Sequence, residues 1–110
     1  MKEYLLEDDI GKKIIFRIGQ NAKENHKLID NADKDDWWFH LSEYSSCHCI
    51  VEKIDISKIE ILYAATLVKD NSKYINSKKV KICYTQVKNI KKTKNPGEVM
   101  FLKQPNIITI

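Results

Sequence analysis

Residues 37–54 read WWFHLSEYSSCHCIVEKI, two runs dense in aromatic and β-branched residues separated by the tetrapeptide SEYS. Such runs predict strands over 37–41 and 46–54 joined as a hairpin. Successive side chains on a strand point to opposite faces, so Trp37, Phe39 and Leu41 share one face while Trp38 and His40 share the other. On the second strand Ser46 and His48 point together, and Cys47, Cys49 and Val51 point opposite. The economical arrangement buries Trp37, Phe39, Leu41, Cys47, Cys49 and Val51. It leaves Trp38, His40, Ser46 and His48 on the opposite, exposed face.

The neighbouring segments fit around this hairpin. IIFRIG at 14–19 predicts a first strand stopped by Gly19, and QNAKENHKLID at 20–30 a short helix with Ala22, Asn25 and Ile29 along one face. Ser57 followed by Glu60 is a capping-box pattern that opens a helix over 58–71. KKVKICYT at 78–85 alternates, with Val80, Ile82 and Tyr84 opposite Lys79, Lys81 and Cys83. After the lysine-rich connection 86–95 and the turn Pro96-Gly97, EVMFLK and NIITI predict a hairpin around Gln104-Pro105. No linker, repeat or low-complexity tract interrupts the order strand–helix–strand–strand–helix–strand–strand–strand. It predicts a single α+β domain over 1–110, its core about 14–110, with a mainly antiparallel sheet and two helices packed on it.

Composition sets the class of partner. No window approaches the roughly 18 apolar residues of a membrane span, and MKEYLLEDD lacks the pattern of a signal peptide. No membrane partner is expected, and three cysteines, an odd number, exclude a fully paired disulfide framework and favour an intracellular, reducing compartment. The net charge of +4 is unevenly spread. Residues 1–60 carry 9 Lys/Arg against 13 Asp/Glu, whereas residues 61–110 carry 10 against 2. A basic half of this density is the footprint of a polyanion partner, set against the plainer reading of a lysine-rich solvated face.

Three chemistries compete for residues 35–49. A metal site would draw on Cys47, Cys49 and His40, but C-x-C is not the usual zinc spacing, His48 points away and Cys83 is distant. The cysteines read instead as small apolar residues, and no metal or cofactor is expected. Nucleophilic catalysis would pair Ser46 with His48, oriented by His40 or Asp36, yet no glycine-rich turn surrounds Ser46. Two histidines could also perform acid–base cleavage of an RNA phosphodiester or an ester. Binding asks less. Trp38 would be a stacking platform, His40, Ser46 and His48 would supply hydrogen bonds, and the lysines of 69–94 would attract phosphate.

The blocks GQNAKEN (19–25), DWWFH (36–40), SSCH (45–48), AATLVKDNS (64–72), ICYTQV (82–87), KK (91–92) and PGEV (96–99) together resemble the NFACT-R, or NFACT protein RNA-binding, domain. The resemblance spans about Ile14 to Ile110. The run 35–49 is most similar to the standalone members related to coiled-coil domain-containing protein 25. NFACT-R is the RNA-binding module of ribosome quality-control proteins. The resemblance therefore implies a cytoplasmic protein that binds tRNA, peptidyl-tRNA or ribosome-associated RNA, with the ribosome as a further partner. The alternative is a metal-independent hydrolase acting on an RNA or peptidyl-tRNA linkage through His40, Ser46 and His48.

Carried over by position, the RNA-binding candidates are Asn21, Asn25, Asp36, Trp38, His40, Ser46, His48, Lys69, Ser72, Lys73, Lys91 and Lys92. Asn21 and Asn25, one turn apart, would bracket a phosphate or base near the first helix start. Asp36 would fix a histidine tautomer or cap the strand start. Lys69, Ser72 and Lys73 end the second helix, where cations also suit the dipole. Lys91 and Lys92 would contact phosphate. Gly19 permits close backbone approach, a positive φ or a plain turn, and Tyr84 belongs to the core. Tyr44 departs from the proline or leucine of many members, and Cys47 and Cys49 replace small or β-branched residues.

Overall fold

The hairpin lies in the middle of the sheet. In the computed structural model, which describes residues 1–110, β3 (Trp37–Leu41) pairs antiparallel with β4 (Cys49–Val51), Trp37 opposite Val51 and Phe39 opposite Cys49. β4 is shorter than the sequence suggests, so Ser46, Cys47 and His48 lie in the connection rather than on the strand. β2 (Lys13–Ile18) pairs with the free edge of β4, and β5 (Lys81–Gln86) with the free edge of β3. β1 (Lys2–Glu7) and β8 (Asn106–Thr109) close the two ends, giving the antiparallel order β1-β2-β4-β3-β5-β8.

β1 is an addition to the sequence reading. In KEYLLE, Tyr4 and Leu6 turn to the core while Lys2, Glu3 and Glu7 face solvent, a charged exterior that suits an edge strand. The expected hairpin of EVMFLK with NIITI is overturned. β6 (Ile90–Lys92) and β7 (Val99–Phe101) form their own two-stranded sheet, while β8 pairs with β5. The cause is the turn at Pro96-Gly97. Gly97 adopts a φ of +81°, a left-handed conformation that glycine tolerates, and a Cβ there would meet the Ala22 Cβ at 3.0 Å. The chain therefore doubles back on β6 before it reaches the main sheet.

The helices cover opposite faces. α2 (Lys58–Asp70) is opened by the predicted capping box, Glu60 N–H donating to Ser57 Oγ and Ser57 N–H to Glu60 Oε1. Glu60 is almost fully buried, and Lys53 pairs with its carboxylate at 2.8 Å. Ala64, Ala65, Leu67 and Val68 of α2 share a core with Phe39, Leu41, Cys49 and Val51, as the period-two reading of the hairpin expects. Trp37 and Cys47 lie partly buried at its margin. α1 (Ala22–Asn31) and the β6–β7 ribbon cover the other face, where Leu28 and Ile90 close over Trp38, Ile50 and Cys83. The buried stripe of α1 is Asn25 and Leu28; Ala22 is exposed and Ile29 half-buried, unlike the stripe expected from the sequence.

Of the readings open for Gly19, close approach is the one found. Its φ is not positive, and a Cβ there would stand 2.2 Å from Asn25 Oδ1. Gly19→Ala must push α1 off the sheet, and a destabilisation of about 1–3 kcal/mol is expected from overpacking. Urea unfolding of the variant should show a lower midpoint with an unchanged m-value.

Candidate functional site

Alternation on β3 turns Trp38 and His40 away from α2, and the residues before β4 bring His48 alongside them. The Trp38 indole donates to His48 Nδ1 at 3.0 Å. An indole N–H can only donate, so Nδ1 carries the lone pair and the proton of the neutral ring sits on Nε2. The His48 main chain is held as well. Its N–H donates to Asn25 Oδ1 at 3.1 Å, and its carbonyl accepts from Gly19 N–H at 3.0 Å. His40 stacks on Trp38, centroids 5.5 Å apart and planes 6° from parallel, and meets His48 edge-on at 5.1 Å. Phe101 of β7 meets Trp38 edge-on at 5.7 Å.

Trp38 and His48 are each 1% exposed, so Trp38 is not the open stacking platform expected of it. Alternation places it on the correct side of the sheet, but α1 and the β6–β7 ribbon cover that side. The aromatics left accessible there are Tyr44 and Phe101, 52% and 42% exposed; the sequence marked Tyr44 only as a departure from the family pattern and did not mark Phe101.

Burial pushes the His48 pKa down to about 3, with His40 adding to the shift and the Gly97 backbone partly offsetting it. Burial also lowers His40, against the opposing effect of Leu41. His40 Nδ1 donates to the Leu41 carbonyl at 2.6 Å, which leaves Nε2 of the neutral ring as an acceptor. Ser46 Oγ accepts from Leu41 N–H and donates to the Cys47 carbonyl. The serine–base pair needed for a nucleophilic serine is therefore not formed, because Ser46 closes the bend after β3 and His48 Nδ1 is taken by Trp38.

Above this floor lies an open groove of about 700 Å³, bordered by Asn21, Asn25, His40, Tyr44, Gly97 and Phe101. Its only charged lining residues are Glu43 and Glu98; no lysine or arginine reaches it. Asn21 caps α1 by accepting Glu24 N–H at 2.9 Å rather than bracketing a phosphate. Asn25 uses Oδ1 on His48. No hydrogen bond engages its Nδ2, and no buried polar atom is left without a partner, so Nδ2 opens to the groove.

The remaining candidates are dispersed. Asp36 is buried and accepts Asp33 N–H at 3.0 Å; it caps the turn before β3 and orients no histidine. Its pKa is raised by burial, opposed by the Asp33 bond. Lys69, Ser72 and Lys73 sit at the end of α2, across the sheet from the Trp38 cluster. Ser72 Oγ donates to the Lys69 carbonyl and accepts Tyr74 N–H, which builds the turn after the helix. Lys91 is exposed on β6, whereas Lys92 pairs with Asp30 of α1. The thiols behave as apolar groups: burial raises Cys47 and Cys83 to about 11 and raises Cys49 well above its ordinary value. No helix is long and apolar enough to cross a membrane.

Comparison with known proteins adds three findings. Residues 6–103 match the family model described as the NFACT protein RNA binding domain. The chain is 28% identical over 93 residues to the Rqc2 homolog RqcH of Bacillus subtilis, covering 82% of this chain and 16% of that protein. The fold matches the C-terminal part of the fibronectin/fibrinogen-binding protein of Streptococcus suis with a TM-score of 0.85 at 24% identity, over 100% of this chain and 45% of that one. The chain thus spans about a sixth of the length of its curated relative.

The buried His48 makes stability depend on pH in a fixed direction. The unfolded chain binds a proton near pH 6.5 that the folded chain refuses until about pH 3. Stability is therefore complete above the unfolded value and lost as pH falls, with a slope approaching about 1.4 kcal/mol per pH unit from this group. His48→Leu should flatten that slope while costing about 1–3 kcal/mol at neutral pH through the orphaned Trp38 N–H. Urea titrations across mildly acidic pH measure both effects.

Proposed function

The chain belongs to the NFACT protein RNA-binding domain family, and on that premise we propose that it binds structured RNA, specifically tRNA or peptidyl-tRNA, in a translation or ribosome quality-control setting. The observation that carries this reading is the chemistry of the groove. It offers an amide N–H donor at Asn25, an imidazole acceptor at His40 and exposed rings at Tyr44 and Phe101, without a lysine or arginine. Such a lining suits base edges and ribose hydroxyls better than phosphate. The exposed lysines outside the groove, Lys91 among them, would supply the sequence-independent attraction.

Similarity to RqcH, a homolog of Rqc2, supports the ribosome quality-control setting and the ribosome as partner. The likeness of residues 35–49 to standalone members of the family rests on sequence alone and belongs to the same proposal, as do the reading of 1–110 as a single RNA-binding domain and a cytoplasmic location. Within the groove, His40 and Asn25 keep the contact role expected of them, while Trp38 and His48, to which the same role was assigned, act beneath them as support.

Anisotropy titration with labelled tRNA tests the reading. Affinity should fall with salt, by about 0.7–0.9 log units per log unit of salt for each phosphate neutralised. Lys91→Ala should weaken all RNAs alike and reduce that slope by less than about one, whereas His40→Ala should change the preference among RNAs. Absence of binding at low salt removes the proposal.

A further inference from the structure

Next to the groove, and sharing Glu43 and Tyr44 with it, lies a smaller cleft of about 230 Å³. The two sites differ in charge. Where the groove has no cation, the cleft is lined by Lys78, Lys79 and Lys81, with Glu43 as its one acid. None of these lysines is engaged in an ion pair. Tyr44 stands on the ridge between the two sites, half its surface open, its ring 4.7 Å from that of Tyr74 and tilted by 30°. Tyr74 is anchored. Its ring packs against the α2 core, its N–H is held by Ser72, and Lys73 Nζ stands 5.6 Å from its centroid. Tyr44 is thus an exposed ring with a fixed backing.

Lys79 adds a second, independent observation. It has a φ of +57°, alone among the non-glycine residues in being positive. A side-chain-bearing residue is disfavoured in that conformation, and glycine would be at ease there. Strain held at a residue that lines a cleft is a mark of use. Here the side chain retained at the strained position is a cation beside two others.

Resting on the RNA-binding reading above, we propose that this cleft takes an unpaired nucleotide of a single-stranded RNA segment. The base stacks on Tyr44 and the adjoining phosphates sit on Lys78, Lys79 and Lys81. A base inside a duplex has both faces covered by its neighbours, so only an unpaired base can reach the Tyr44 ring. At about 230 Å³ the cleft is on the scale of a single nucleotide and too small to admit a duplex. The strand continues past Tyr44 into the groove, which has no cation and carries Glu43 and Glu98, so that base and ribose contacts replace phosphate contacts there. The domain then recognises the place where an RNA strand leaves a helix.

The test compares a fluorescein-labelled oligoadenylate with a blunt RNA duplex in anisotropy titrations of the full chain. Tyr44→Ala should weaken the single strand about 5- to 100-fold, the loss of one stacked base, and leave the duplex within about twofold; Tyr44→Phe should restore the single strand. Lys79→Gly, which relieves the strain, should keep or raise the melting temperature while lowering single-strand affinity and its salt slope. If oligoadenylate binds but Tyr44→Ala weakens both probes equally or neither, the proposal is overturned and general RNA binding stands. Binding of a labelled oligoglutamate that responds to the lysines as oligoadenylate does, with Tyr44 immaterial to both, overturns it too. Failure of every RNA to bind at low salt defeats the RNA-binding reading itself, and this cleft's role with it.

Discussion

His48 is the residue on which the site depends, because three parts of the chain meet on it. Its ring accepts the indole of β3, its N–H is held by an amide of α1, and its carbonyl takes the N–H that follows β2. All three bonds join buried residues, where an unmade bond leaves a polar group stranded at a cost of about 1–3 kcal/mol. The arrangement is therefore close to all-or-none. With it in place, Trp38 has one orientation, His40 has a flat ring to lie on, and the bend that carries Ser46 and Tyr44 has a fixed start.

The parts of this design that are local were legible in the sequence. Alternation in WWFHL sorts its side chains correctly, Ser57 and Glu60 mark a helix start, and C-x-C sits where thiols serve as apolar filler. What alternation could not supply is what lies over each face. It separates Trp38 from Phe39 but is silent on α1 and the β6–β7 ribbon, so a buried indole read as an open one. The ribbon escaped for a related reason. NIITI looks like a partner for EVMFLK by proximity, while its true partner, β5, lies more than twenty residues upstream. β1 carried its own alternation in KEYLLE, a signal masked by its charges.

Charge asymmetry along the chain was similarly informative at long range and misleading in detail. The acidic first half and basic second half do not form two poles. Lys92 of the basic half pairs with Asp30 of the acidic half, and Lys88 with Asp35. Part of the lysine excess thus docks the ribbon against the first helix, through Lys92, and the turn that precedes it against the turn before β3, through Lys88. The lysines of 78–81 stay free of such pairs and concentrate beside Tyr44. Twelve residues gathered from one motif pattern therefore separate into supports, caps and a few accessible groups. Spacing in sequence cannot distinguish these roles, because all three use the same side chains.

The first helix is seated at two points by missing side chains: Gly19 lets the Asn25 amide come in, and Gly97 lets the Ala22 backbone and methyl come in. Steric fit of this kind has no dependence on ionic strength. A domain whose hold on a polyanion weakens as salt rises still presents Asn25 at the same coordinates, so that changes of medium alter how often a partner is captured while leaving unaltered the shape against which it is judged.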